Sequence, residues 1–202
     1  ILASVHGLLP KNAKRSLAYS SVAQIGYIVI GLELLSPLGL TAGLLHLFNH
    51  ALAKGALFMA LGCLYYRLDS VSLPALAGAA RQMPLTAAAF VVSGLSLIGV
   101  PLTAGFISKW YLLRATLEQG QWLLALIIVA GSLLALGYVW RVVEQLYFQP
   151  APTNRDAVRD APWSMLVPTW TLVAANLYFG VDSRLTVDLA GQAARALLEG
   201  AP

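Results

Sequence analysis

Apolar residues fill the chain in five long runs separated by short polar stretches. They extend from about Leu17 to Leu35, Leu40 to Tyr66, Leu85 to Leu117, Trp122 to Tyr147 and Met165 to Val181. A helix needs about 20 such residues to cross a hydrocarbon core of about 30 Å. None of the runs alternates with the two-residue period of a membrane barrel strand. The pattern predicts an all-α, polytopic transmembrane helix bundle of five spans. The third run is too long for one straight span and carries Gly99-Val100-Pro101-Leu102-Thr103-Ala104-Gly105 in its middle. Proline removes a backbone donor and glycine permits unwinding. This span is therefore predicted to be discontinuous, with its break at Gly99, Pro101 and Gly105. Irregular backbone at membrane depth survives only where protein or a water-filled cavity satisfies it, and transporters place their sites at such breaks. Beyond the fifth run, Leu185, Leu189, Ala193 and Leu197 recur at helical spacing among charges. Arg184–Glu199 is predicted to be a short amphipathic helix at the surface, facing lipid or another subunit.

Composition narrows the class further. Of 202 residues, 58% are hydrophobic and 11% are charged, against about 25% charged in soluble domains. The net charge of +4 comes from basic residues scattered between apolar runs, not gathered with aromatics on one face, which excludes a nucleic-acid partner. Cys63 is the single cysteine and lies inside an apolar run, so there is no disulfide framework, no CxxC pair and no metal-ligand cluster. No dinucleotide fingerprint is present either. No cofactor is expected, and any redox activity would belong to partner subunits. The opening Ile1-Leu2-Ala3-Ser4-Val5 lacks a methionine or a basic n-region. It is not a signal peptide and reads as the tail of an upstream helix, so the chain is expected to be a fragment of something longer.

Loop charges suggest an orientation. Lys11, Lys14 and Arg15 precede the first run, and the connection at Ser36-Pro37 has no charge. Arg67 and Arg81, against Asp69, follow the second run; Glu118 follows the third. The fourth connection holds Arg141, Arg155 and Arg159 with Glu144, Asp156 and Asp160, and the tail has Arg184 and Arg195 against Asp182, Asp188 and Glu199. Basic and non-basic connections alternate, as the positive-inside rule expects. The N-terminus is expected in the cytoplasm and the C-terminus outside a bacterial inner membrane, with Trp122 and Trp163 as interfacial anchors.

Two lysines, Lys54 and Lys109, sit deep inside these runs. A lysine at the bilayer centre costs about 2.5–3.5 kcal/mol on insertion scales, so it faces protein or a water-filled cavity and marks function by default. On the second run His46, His50 and Lys54 fall at i, i+4 and i+8, which places them on one helix face over about 12 Å. Asn49 borders the stripe. Imidazole accepts and donates protons near neutral pH, and a desolvated amine also exchanges them. The trio reads as a proton relay bridged by waters; for a lone histidine the competing reading is a helix-packing hydrogen bond. Lys109 follows the break by about one turn. Ser20, Ser21, Gln24 and Tyr27 make the first run unusually polar, and they either line a hydrated channel or bond to a neighbouring helix. Arg114 and Glu118 read as an i, i+4 ion pair outside the path. Glu33 and His6 are assigned no role.

Three stretches resemble a known family. Lys14-Arg15-Ser16-Leu17-Ala18-Tyr19-Ser20-Ser21-Val22-Ala23-Gln24-Ile25-Gly26-Tyr27 is similar to the KR-x-LAYSS-x-xQIGY signature of antiporter-like proton-conducting membrane subunits. His46 to Lys54 resembles that family's H-x-x-x-H-x-x-x-K helix, and Thr103 to Lys109 its (T/S)-x-GF-x-x-K segment. The motifs occur in family order over roughly residues 11–115. The family includes the large antiporter-like subunits of respiratory complex I, the A-type and D-type proteins of Mrp cation/proton antiporters, and hydrogenase subunits. The resemblance implies about fourteen helices with two inverted five-helix repeats, each contributing a half-channel joined by a central axis of lysines, histidines and a glutamate. It implies that Lys54 is a lysine of that axis, His46 and His50 its hydrated neighbours, and Lys109 the terminal lysine exchanging protons with the outer side. Residues 1–150 then form a partial second repeat, the end of an upstream helix plus four spans. Residues 151–202 form a cytoplasmic connection, one further span and the amphipathic tail. The first repeat is absent, and nothing after about residue 150 matches a family motif.

The expected function is proton translocation within a multi-subunit cation/proton antiporter, as a chain similar to the D-type Mrp protein, through Lys54, Lys109, His46 and His50. Asn49, Ser20, Gln24 and Tyr27 would line the path. The alternative is the antiporter-like, non-redox subunit of NADH-quinone oxidoreductase or of a membrane hydrogenase. One complex I member carries a carboxylate in place of the terminal lysine, so Lys109 speaks against that member. Expected partners are other membrane subunits, protons, Na+ as a second ion, and the bilayer. A purely structural membrane subunit would leave flux unchanged when Lys54 and Lys109 are removed. A solute permease would accumulate an organic substrate dependent on Lys109.

Overall fold

The computed structural model describes residues 1–152 and 158–200, so Arg155 and Asp156 of the fourth connection lie outside the described residues. Among these the helices are α1 (Leu2–Gly7), α2 (Ala13–Glu33), α3 (Pro37–Leu68), α4 (Pro84–Ile98), α5 (Ala104–Glu118), α6 (Trp122–Phe148), α7 (Trp163–Val181) and α8 (Arg184–Glu199). Two 3-10 turns, Pro74–Leu76 and Ala79–Arg81, lead into α4. The described residues form no β-strand; an isolated bridge pairs Asn12 with Ser72.

Helix starts follow from local chemistry. The Asn12 side chain accepts from Lys14 N at 3.0 Å and Arg15 N at 3.4 Å, and Ser36 accepts from Gly39 N at 3.1 Å with Pro37 in the first helical turn. Each bond satisfies donors that a helix N-terminus leaves without intrahelical partners. Helix α3 then runs 32 residues, about 48 Å at 1.5 Å per residue, which exceeds the hydrocarbon thickness. It ends at Asp69, in left-handed conformation with φ 52°.

The all-helical class is as expected, and the runs map onto it with differences. Helices α3, α6 and α7 are long and apolar enough to cross a membrane, and the turns with α4, bent by 108°, make up to a fourth crossing by length and composition. Helix α2 has 21 residues but carries Lys14, Arg15 and Glu33. The long third run is two helices of 15 residues each, α4 and α5, separated at residues 99–103. Arg141 and Glu144, expected in a connection, belong to α6. The helix continues through them because Val142 and Leu146, one turn apart, are both buried in the core.

The helices run between two ends of a bundle. At one end Ala13 N donates to Val71 O, Leu73 N to Lys11 O and Gly78 N to Gln145 O. This gathers the start of α2, the α3–α4 connection and the end of α6. At the other, Gln119 Nε2 donates to Leu34 O at 2.8 Å. A core of Leu57, Leu64, Met83, Phe90, Tyr138 and Leu146 fills the space between α3, α4 and α6. Helix α8 lies along the N-terminal half of α3 with Thr186, Ala190 and Ala194 buried. Leu185, Leu189 and Leu197 of the expected stripe are exposed, and the buried face carries the small residues Thr186, Ala190 and Ala194.

Asp160 ties three elements together. Its carboxylate accepts from Leu85 N (3.1 Å), Thr86 N (3.0 Å) and Thr86 Oγ1 (2.8 Å), and its carbonyl accepts from Arg67 Nε and Nη2. It therefore caps α4, which has no side-chain cap of its own, from a distant connection. Loss of such a cap costs about 1–2 kcal/mol. Asp160→Ala is expected to lower the thermal unfolding midpoint of the detergent-solubilised protein, and Asp160→Asn, which keeps one acceptor oxygen, to lower it less. An unchanged midpoint for Asp160→Ala would remove the capping role.

Candidate functional site

Two polar stripes face each other across α2 and α3. On α3, His46, Asn49 and Lys54 are 2%, 1% and 6% exposed, so the predicted face points into protein. The His46 and His50 rings stack at 6.1 Å between centroids and 13° between planes. On α2, Ser20, Gln24 and Tyr27 are buried and meet that face level by level. Lys54 Nζ donates to Leu17 O at 2.6 Å and to Ser20 Oγ. His46 Nε2 bonds Gln24 Oε1 at 3.1 Å. The Tyr27 ring is edge-on to His46 at 5.4 Å and lies 5.2 Å from Lys109 Nζ, while its hydroxyl donates to Ile128 O at 3.3 Å. Ser20, Gln24 and Tyr27 thus each contact a neighbouring helix, whereas Ser21 Oγ donates to Leu17 O of its own helix at 3.2 Å.

The break brings Lys109 to the same line. Helix α4 stops at Gly99, whose φ of 93° suits glycine. A side chain there would also collide with Lys109 Cδ, 2.9 Å from the position of a Cβ. The chain passes Pro101 and Leu102 (φ 71°) before α5 starts at Ala104. Lys109 then reaches back across the break. Its Nζ donates to Leu97 O and Ile98 O, both at 2.9 Å, and to Ser132 Oγ of α6 at 3.0 Å. These carbonyls belong to the last turn of α4, where no further N–H follows to take them and where the helix dipole favours a cation.

Amides on both sides hold the break. Asn49 Nδ2 donates to Ala104 O at 2.7 Å. From α7, the Asn176 side chain accepts from Ser96 Oγ at 2.6 Å, and Ser96 Oγ accepts from Gly105 N at 3.1 Å. Gly105 approaches the Ser96 carbonyl so closely that no Cβ fits. Asn49 Oδ1, His50 Nδ1 and Asn176 Nδ2 are buried without a hydrogen-bond partner.

The structure thus brings Lys54, His46 and Lys109, all buried, and the half-buried His50 into one line, with Ser20, Gln24, Tyr27 and Asn49 bonded or packed against it. Among the described residues no carboxylate lies within ion-pair distance of either lysine. Arg114 and Glu118 pair at 3.0 Å on an exposed face, apart from the line, as expected. Ser96, Ser108, Ser132 and Asn176 were not singled out in the sequence. Asn176, a lone amide in an apolar run, carried a signal through its insertion cost. The serines carried none, since serine is common in membrane helices.

Residues 1–135 match the family described as NADH:quinone oxidoreductase/Mrp antiporter, TM. The chain belongs to this family. Subunit N of the NADH-quinone oxidoreductase of Desulforudis audaxviator (strain MP104C) is 40% identical over 193 residues, covering 90% of this chain and 38% of that protein. Subunit N of the F(420)H(2) dehydrogenase of Methanosarcina mazei is 32% identical over 196 residues, covering 93% and 40%. The chain spans about two fifths of the length of these curated relatives. A chain of the Mrp complex from Dietzia sp. DQ12-45-1b superposes with a TM-score of 0.94 at 27% identity, over 100% of this chain and 46% of that one. A chain of respiratory complex I from Thermus thermophilus shares the fold, with a TM-score of 0.79 at 22% identity over 96% and 42%. As a family member with helices of spanning length, this is a multi-pass membrane chain.

The close approach at the break makes a clear expectation. Gly105→Val should cost at least the about 1–3 kcal/mol of an overpacked core, seen as a lower thermal midpoint in detergent. A midpoint equal to wild type would show that the break yields without penalty.

Proposed function

We propose that this chain is one half of a proton-translocating antiporter-like subunit, and that protons pass along Lys54, His50, His46 and Lys109. The observation that carries this is the pairing of two buried lysines with uncharged oxygens only. Held that way, each ammonium keeps hydrogen bonds while lacking the carboxylate that would lock its charge in place. Lys54 and Lys109 are the proton-exchanging groups and His46 and His50 pass protons between them. Ser20, Gln24, Tyr27 and Asn49 line and order the path; Gly99, Pro101 and Gly105 form the break.

In this reading the membrane is crossed five times, by α2, α3, the discontinuous pair α4–α5, α6 and α7, with α8 as an amphipathic helix along the surface. Residues 1–150 make up most of one repeat, and residues 151–202 the connection, the further span and the tail. The end carrying Lys11, Lys14, Arg15, Arg67 and Arg81 is cytoplasmic and the C-terminus lies outside, in a bacterial inner membrane. The bonds that gather those basic connections at one end support this orientation. Partners are other membrane subunits of the complex.

An Mrp-type cation/proton antiporter is the preferred assembly, supported by the TM-score of 0.94 to a chain of the Dietzia Mrp complex. A second reading, the antiporter-like subunit of an NADH-quinone oxidoreductase, is favoured by the 40% identity to the subunit N relative. The test is the collapse of an imposed pH gradient in inverted vesicles carrying the full-length protein in its complex, with and without Na+. Lys54→Ala and Lys109→Ala are each expected to bring the rate down to that of vesicles lacking the protein. An unchanged rate for both would leave a structural subunit in place of a conductor.

A further inference from the structure

Three serines on three helices share one arrangement. Ser20 accepts from Lys54 Nζ and can donate to Leu17 O at 2.9 Å. Ser108 bonds His46 Nδ1 at 2.9 Å and Gly105 O at 3.2 Å. Ser132 accepts from Lys109 Nζ at 3.0 Å and can donate to Ile128 O at 3.1 Å. Each hydroxyl touches a titratable nitrogen on one side and a carbonyl three or four residues back in its own helix on the other. Back-bonding alone is common in helices: Ser93 Oγ donates to Ala89 O at 2.8 Å and Thr169 Oγ1 to Met165 O at 2.7 Å, and neither contacts a lysine or histidine nitrogen. The second contact sets Ser20, Ser108 and Ser132 apart.

A hydroxyl has one proton to give and lone pairs to receive, so it can serve a base in either protonation state. With Gln24 Oε1 as acceptor, neutral His46 carries its proton on Nε2, and Nδ1 needs a donor. The Ser108 hydroxyl supplies it. When the hydroxyl proton turns to Gly105 O, the Nδ1 lone pair is free to take a proton, and the resulting Nδ1–H donates to Ser108 Oγ. Lys109 as an ammonium has three N–H groups and three acceptors: Leu97 O, Ile98 O and Ser132 Oγ. When one proton leaves for the next acceptor in the line, the amine rotates to turn its lone pair to Ser132, whose hydroxyl turns from Ile128 O to donate to it. Ser20 does the same for Lys54 against Leu17 O. No covalent bond of the serine breaks; only its hydroxyl rotates. His50, partly exposed and with Nδ1 unpartnered, has no such neighbour.

We infer that Ser20, Ser108 and Ser132 are positioning residues of the path, hydroxyl rotors that reverse between donor and acceptor as Lys54, His46 and Lys109 load and release protons. This rests on the relay reading above. The test uses the full-length protein in its complex, with pH-gradient collapse in inverted vesicles normalised to assembled complex. Removing a hydroxyl strands a buried partner in one half of each cycle, so Ser20→Ala, Ser108→Ala and Ser132→Ala should each slow flux about tenfold. The corresponding threonine variants, which keep the hydroxyl, should restore most of it, and Ser93→Ala should match wild type. Where an alanine variant does not assemble, cysteine, similar in size but a weak donor and acceptor, should show the loss instead. If Lys54→Ala and Lys109→Ala abolish flux while the serine variants behave like Ser93→Ala, the rotor inference is overturned and the relay stands. Threonine variants as slow as alanine would overturn it too, because bulk rather than the hydroxyl would then matter. If the lysine variants conduct normally, the relay reading itself fails.

Discussion

The carbonyls that α4 leaves free when it stops at Gly99 are the acceptors of Lys109, and the site is organised around that contact. Inside a helix every carbonyl already accepts from an N–H four residues on, so a helix end offers a buried ammonium carbonyls that carry no competing backbone bond. Stopping α4 in mid-bundle creates two such carbonyls and aligns the negative end of a helix dipole with the charge. It also exposes backbone that must be satisfied at depth. Asn49 takes Ala104 O, and Ser96 with Asn176 takes Gly105 N. The break thus needs α3 on one side and α7 on the other.

Lys54 solves the same problem differently. It lies on an unbroken helix and borrows Leu17 O from α2, a carbonyl that also accepts from Ser20 and Ser21. Both cradles consist of backbone oxygen and serine hydroxyl, with no carboxylate. Such partners hold a proton without trapping it, because no opposite charge has to be separated when the proton moves. The stacked rings of His46 and His50 occupy the α3 face that the two cradles bound.

The helices, the break and the titratable line were legible along the chain because each has a one-dimensional signature. Apolar runs report the helices, Gly-x-Pro the break, and four-residue spacing the shared face of His46, His50 and Lys54. Charge alone misplaced Arg141 and Glu144, which were counted with the fourth connection and lie inside α6. Asp160 looked like a loop charge balancing arginines, yet its carboxylate caps a helix 74 and 75 residues away in sequence. Nothing local distinguishes the two roles.

Composition, periodicity and insertion cost determined by themselves that this is a helical membrane chain with two costly lysines, one beyond a broken helix. Those are properties of single segments, and hydrophobicity along one segment is enough to express them. Only the tertiary structure decided what each lysine holds: which carbonyls, which serines, and that α7 rather than a nearer helix steadies the break. Such choices depend on residues brought together from 11 to 80 positions apart, and hydrogen-bond partners over that distance leave no periodic trace in the sequence.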